Sequence, residues 1–124
     1  MIHLDTSFLI RALIQGTTQD RALRRWIAAD ETLVMSVIAW AEFQCGPLHP
    51  PELATAAALI DHHRDFTRED AESAARLFNE SGRRRGSLID CMIAAAALVD
   101  DASVATANPA DFERLRPFGV TIAI

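Results

Sequence analysis

Along this chain, stretches that read as strands alternate with stretches that read as helices, and no tight hairpin turn joins two strands. That alternation limits the fold sharply. Strands separated by helices pair in parallel through crossovers, and a parallel sheet needs helices on both faces to cover it. The expectation is an α/β fold in three layers, with a central, mostly parallel sheet of four to five strands. At 124 residues, half of them apolar, the chain suits a single domain over residues 1–124.

The first ten residues, MIHLDTSFLI, set the pattern. Ile2–Leu4 read as a short apolar strand, Asp5-Thr6-Ser7 as helix-opening residues, and Phe8, Leu9 and Ile10 as the helix itself. After a turn at Gly16-Thr17-Thr18, Gln19–Ala29 form an amphipathic helix with Leu23, Trp26 and Ile27 on one face. Thr32–Met35 read as the second strand, and Ser36 caps a helix over Val37–Cys45 that Gly46 and Pro47 end. Pro50 and Pro51 start an alanine-rich helix running to about His62, which makes His62 and His63 a solvated helix end. Asp65–Thr67 is the expected third strand, with little apolar content.

Thr67, with Asp70 three residues on, opens a helix over Arg68–Ser81 that Gly82 ends. The dense basic run Arg83-Arg84-Arg85 follows, and Ser87 caps a long apolar helix, Leu88–Val99. Ser103–Ala107 make the fourth strand, Asn108-Pro109 breaks it, Ala110–Leu115 form one or two helical turns, and Val120–Ile124 close the sheet. His3 is a strand residue, and Cys45 and Cys91 read as buried free thiols.

Composition removes several chemistries. All twelve basic residues are arginines, so a phosphate-loop lysine, a Schiff base and a lysine general base are excluded. A response-regulator receiver, which shares the acidic α/β layout, also relies on a lysine. The net charge of -5 argues against bulk, nonspecific nucleic-acid binding. No apolar run reaches the roughly 18 residues of a membrane span. Asp5 falls where a signal peptide would keep its apolar stretch, so a cytoplasmic protein is expected.

In a parallel sheet, the carboxyl ends of strands and the amino ends of the following helices lie along one edge, where open α/β sheets bind ligands. Asp5 ends the first strand, Asp90 lies in the first turn of its helix, and Asn108 and Asp111 follow the fourth strand. Glu42 sits inside its helix among Ile38, Trp40, Ala41 and Phe43, and its longer side chain can reach the same edge. Burial there without an arginine in the same helix would be costly, and a shared metal would relieve it. Each acid also has a purely structural alternative. Asp5 and Asp111 can cap helices, Asp90 can form a capping box with Ser87, and Glu42 can face solvent.

Four segments resemble the PIN domain, and more narrowly the VapC-type toxins of toxin–antitoxin pairs: LDTSFLI, SVIAWAEFQCG, SLIDCMIAAAAL and VATANPADF. They occur in the family's order and span most of the chain. The resemblance implies a PIN-like fold and a metal-dependent endoribonuclease that a cognate antitoxin neutralises. By its motifs, Asp5, Glu42 and Asp90 match the three most characteristic acids, and Asp111 a less uniform fourth. Thr6 and Ser7 match a hydroxyl pair, one of which would orient a metal-bound water. Thr106 matches a small hydroxyl residue, and Asn108 a position that some members fill with an acid.

Carboxylate oxygens suit Mg²⁺ or Mn²⁺, with Asp5 and Asp90 as direct ligands and Glu42 and Asp111 acting directly or through water. Arg83, Arg84 and Arg85 are candidates for contact with substrate phosphates or a partner, against the alternative of a solvated loop. Homodimerisation is a further implication, and the alanine-rich Pro51–Ile60 stretch is a candidate partner surface. The competing reading is a PIN-like RNA- or protein-binding module without catalysis. A haloacid-dehalogenase-type phosphatase is rejected because position 7 is serine and lysine is absent.

Overall fold

The computed structural model describes residues 1–47 and 49–124. Its centre is a five-stranded sheet, parallel throughout, in the order β3-β2-β1-β4-β5. The strands are β1 (Ile2–Leu4), β2 (Leu33–Ser36), β3 (His62–Arg64), β4 (Ser103–Ala105) and β5 (Thr121–Ile122). The helices are α1 (Thr6–Ala12), α2 (Thr18–Ala28), α3 (Val37–Gln44), α4 (Pro50–Leu59), α5 (Arg68–Glu80), α6 (Leu88–Val99) and α7 (Pro109–Glu113). A 3₁₀ turn covers Arg116–Phe118.

The chain runs outward from β1 to β2 and β3, then returns to β4 on the other side of β1. Right-handed crossovers therefore put α1 to α4 on one face and α5 and α6 on the other, the expected three layers. The strands are short but buried, as befits a sheet covered twice. Leu4, Met35, Val104 and Ala105 are fully enclosed. Four consecutive alanines of α6, Ala94 to Ala97, are buried, and their small side chains permit the close approach of α5 and the sheet. Phe8 of α1 stacks on Trp26 of α2 at 5.3 Å between ring centres.

Helix starts follow the local chemistry. Thr17 and Ser36 accept hydrogen bonds from the backbone N–H groups of Asp20 and Ala39, and Thr67 forms a full capping box with Asp70. Gly82 and Gly86 bracket the arginine loop at φ values of 98° and 80°, where a side chain would be strained.

Several expectations need correction. The third strand is His62–Arg64, and Asp65–Thr67 form the connection into α5. The alanine-rich helix stops at Leu59, so His62 and His63 belong to a strand, with His63 edge-on to Trp40 at 4.7 Å. This strand lacks β-branched residues and is held from outside. Arg64 forms an ion pair with the buried Asp70 carboxylate and reaches Asp100 Oδ2 at 2.7 Å. His3 Nε2 lies 2.8 Å from the same Asp100 oxygen. Burial lowers the pKa of His3, against the opposing pull of Asp100. Ile27 is exposed, because the amphipathic face of α2 closes at Leu23 and Trp26. Cys45 is exposed as well, at the C-cap of α3, while Cys91 is buried and both thiols are free.

Candidate active site at the carboxyl edge of the sheet

The order of the strands reverses between β1 and β4, and the crevice beyond their carboxyl ends is the usual ligand site of such sheets. Asp5 is the residue after β1 and Thr106 the residue after β4. The Asp5 backbone N–H still donates to the Ala105 carbonyl at 2.9 Å, which fixes the start of its side chain rigidly against the sheet. Asp5 is only 5% exposed and occupies the N-cap position of α1, yet its carboxylate makes no capping hydrogen bond. Instead, Oδ2 accepts from the Ser7 hydroxyl at 2.6 Å and from the Thr106 hydroxyl at 2.9 Å.

Those hydroxyls are themselves oriented by the backbone. The Ala107 N–H donates to Ser7 Oγ and the Asn108 N–H to Thr106 Oγ1, each at 3.0 Å. Each hydroxyl thus accepts from an amide and donates to Asp5, and the two hydroxyl oxygens lie 3.2 Å apart. Burial pushes the Asp5 carboxyl above its ordinary range, and the two hydroxyls pull it back.

Glu42 joins from α3. Thr6 Oγ1 lies 3.1 Å from Glu42 Oε1 and 2.9 Å from the Ala39 carbonyl, so its single proton serves one of the two at a time. Glu42 is more exposed than its neighbours in sequence suggest, which lessens the expected buried-charge penalty. Partial desolvation still raises its pKa, Thr6 opposes the shift, and the Asp5 charge adds to it.

Asp90 is in the first turn of α6, and the capping-box alternative does not hold for it. Ser87 turns its hydroxyl back to the Arg84 carbonyl at 2.6 Å and makes no side-chain cap. Among the described residues Asp90 has no hydrogen-bond partner. Burial, then the charges of Asp5, Asp111 and Glu42, push its carboxyl up to about 6, with Arg114 opposing. Asp90 and Asp111 line one cavity, Glu42 meets Thr6, the residue after Asp5, and the charges of Asp5 and Glu42 bear on Asp90. Asp111, in α7, lies 4.0 Å from Arg84 Nη1, while Asn108 is the N-cap residue of α7 without a side-chain capping bond.

The arginine run divides. Arg84 and Arg85 line a cavity of about 190 Å³ with Asp90, Asp111 and Arg114. Arg83 points elsewhere, onto the Phe78 ring of α5 and the Asn79 side chain. Arg114 was not distinguishable in the sequence from the other arginines. Its Nη1 donates to Ser81 Oγ at 3.3 Å, while Nε and Nη2 are buried without a partner among the described residues. The only available signal was its place three residues after Asp111, on the same side of a short helix.

The donor set fits a hard divalent ion. It consists of carboxylates and hydroxyls at a partly desolvated edge where the acids raise one another's pKa. Among the described residues, no three His, Cys, Asp or Glu side chains close into a preformed metal cluster. An ion held by one or two carboxylates and completed by water needs no such cluster.

The comparisons agree with this fold. The PIN domain family model matches residues 2–116. No curated protein matches the chain by sequence. Among solved structures, a toxin–antitoxin complex from Klebsiella pneumoniae is 26% identical, with 91% of each chain covered and a TM-score of 0.71. DNA-bound VapBC from Salmonella typhimurium is 22% identical, covering 98% of this chain and 95% of that one at a TM-score of 0.73. The sarcin–ricin-loop-cleaving toxin VapC20 of Mycobacterium tuberculosis is 16% identical, covering 98% and 97% at a TM-score of 0.66. With the family model spanning nearly its whole length, the chain belongs to the PIN domain family.

Proposed function

We propose that this chain is the toxin of a type II toxin–antitoxin pair, an endoribonuclease that hydrolyses RNA phosphodiester bonds at its acidic edge with Mg²⁺ or Mn²⁺. The observation that carries the reading is the gathering of Asp5, Glu42, Asp90 and Asp111 around the switch point of the sheet, close enough for their charges to shift Asp90. Four like charges at one partly desolvated edge repel one another and invite a cation.

Asp5 and Asp90 are the residues that would hold the ion, with Glu42 and Asp111 completing the set directly or through water. When bound, such an ion polarises the scissile phosphodiester and makes water a better nucleophile at neutral pH. The chain's own contribution is orientation. Ser7 and Thr106 both bind Oδ2 of Asp5, which leaves Oδ1 as the free donor. Thr6 steadies Glu42 from the first turn of α1, and its hydroxyl is the chain's candidate for positioning the attacking water. Arg84 and Arg85, which line one cavity with Asp90 and Asp111, would offset the charge of the RNA backbone.

A cognate antitoxin is the expected partner, as in the Klebsiella complex. Exposed apolar surface suited to it lies at the end of α1, next to Glu52 of the alanine-rich α4. Ile10 and Ile14 border a hollow of about 310 Å³ with Leu13, Phe43 and Pro47. No described helix is long and apolar enough to cross a membrane.

Incubation of total cellular RNA with the purified chain tests the reading. Discrete fragments should appear with Mg²⁺ or Mn²⁺ and disappear with EDTA or in Asp90→Asn. RNA left intact under every ion, together with RNA binding, would favour the non-catalytic binding module.

A further inference from the structure

A cavity of about 390 Å³, lined by Ser7, Ile10, Arg11, Gln19, Ala107 and Asn108, shares no lining residue with the cavity of the arginine loop. Its size is within the range of small-ligand sites. It opens directly on the acidic edge, because Ser7 Oγ is 2.6 Å from Asp5 Oδ2 and accepts from the Ala107 N–H. Three of its polar side chains are uncommitted. Among the described residues, neither the Arg11 guanidinium nor the side-chain amides of Gln19 and Asn108 make a hydrogen bond or ion pair.

The other arginines of α1 and α2 offer a contrast. Arg24 is engaged with Asp20 and Arg21 with the Gly16 carbonyl, while Arg25 is unpaired among the described residues but does not line the cavity. Arg11 alone of these faces the cavity with its charge free. The wall also includes Ile10, which is 46% exposed and presents an apolar surface beside the amides.

These groups match the parts of one nucleotide. A guanidinium suits a phosphate, an amide with donor and acceptor atoms suits the edge of an unpaired base, and an aliphatic side chain suits its face. We propose that this cavity receives the nucleotide adjacent to the scissile phosphate of a single-stranded RNA. Arg11 takes its phosphate, and Gln19 and Asn108 read its base. With Arg84 and Arg85 in the separate cavity that Asp90 lines, the strand is then gripped at two places. The inference rests on the ribonuclease reading and adds a specificity site to it.

The test measures binding of short, fluorescein-labelled single-stranded RNAs to Asp90→Asn, so that cleavage does not interfere. Adding Arg11→Gln should weaken binding about tenfold for every sequence and flatten the log–log salt slope by about 0.7. Arg11→Lys should restore the slope. Adding Gln19→Ala with Asn108→Ala should instead change the ranking among oligo-A, oligo-C and oligo-U and leave the slope alone. Arg11 is exposed, so these variants should fold, and thermal unfolding verifies it. Unchanged affinity and slope in Arg11→Gln would overturn the phosphate contact, and an unchanged ranking would overturn base reading. Absence of RNA binding by Asp90→Asn itself would instead overturn the ribonuclease reading, and the subsite with it.

Discussion

Thr106 Oγ1 donates to Asp5 Oδ2 at 2.9 Å across 101 residues of chain, joining the ends of the two strands between which the sheet reverses its order. Thr106 is 1% exposed and its hydroxyl accepts from the Asn108 N–H, so its proton goes to Asp5 at 2.9 Å or to Ser7 Oγ at the longer 3.2 Å. The carboxylate is thereby held by the fold and not by its own rotamer preference.

Thr106→Val keeps the shape of the side chain and removes that proton. Asp5 would retain Ser7 and lose half of its support. Partners of this kind are worth about 10–100-fold in metal affinity, so Mn²⁺ should bind Thr106→Val more weakly by that order in a calorimetric titration. Ser7→Ala should behave similarly. Unaltered affinity in both variants would mean that Asp5 is positioned without them.

Asp90 makes the metal-free protein sensitive to pH. Its carboxyl is pushed up to about 6 in the folded chain, above the roughly 3.9 of an unfolded one. The folded state therefore binds more protons between these values, and stability falls as pH rises from about 4 to about 6. In EDTA, Asp90→Asn should melt a few degrees above the parent at pH 7, and the gap should close as pH is lowered towards 4. Arg114→Gln removes the cation that opposes the shift and should move the parent's transition to higher pH. Melting curves across this pH range check both.

Arg64 ties β3 to α5 through Asp70, whose side chain is wholly enclosed. Burial pushes Asp70 up, but Arg64 and the Thr67 N–H overcome it and hold the carboxyl below its ordinary range. Removing the cation leaves an unpaired buried charge, a change that costs about 3 kcal/mol or more. Arg64→Met should lower the urea midpoint accordingly, and Arg64→Met with Asp70→Leu should recover much of the loss. Because the folded pKa of Asp70 is depressed, its stabilising contribution is present above the unfolded value and is lost as pH falls through the folded one.

The strand–helix alternation was enough to read the parallel sheet, because crossover handedness and burial on both faces leave few topologies. The acids were legible for a related reason: Asp5 and Asp90 sit at element boundaries that the same alternation defines. β3 was not legible. Its residues, His62, His63 and Arg64, carry no apolar alternation, and the strand exists through pairing with Val34, Met35 and Ser36 and through the distant Asp70 and Asp100. Ser87 looks like a cap from its neighbours, yet its hydroxyl satisfies the arginine loop instead. Arg114 and the cavity around Arg11 depend on which side chains are left without partners, a property of the folded chain alone.

The measurement that bears most directly on the acidic edge is thermal unfolding of the parent, Asp5→Asn and Asp90→Asn, each in EDTA and in Mn²⁺. For a site of about 1 mM affinity at about 5 mM ion, binding adds roughly 1 kcal/mol, a rise of a few degrees. The parent should show that rise, and both variants should lose it. A parent that ignores Mn²⁺, or variants that respond as fully as the parent, would contradict a metal site built on Asp5 and Asp90.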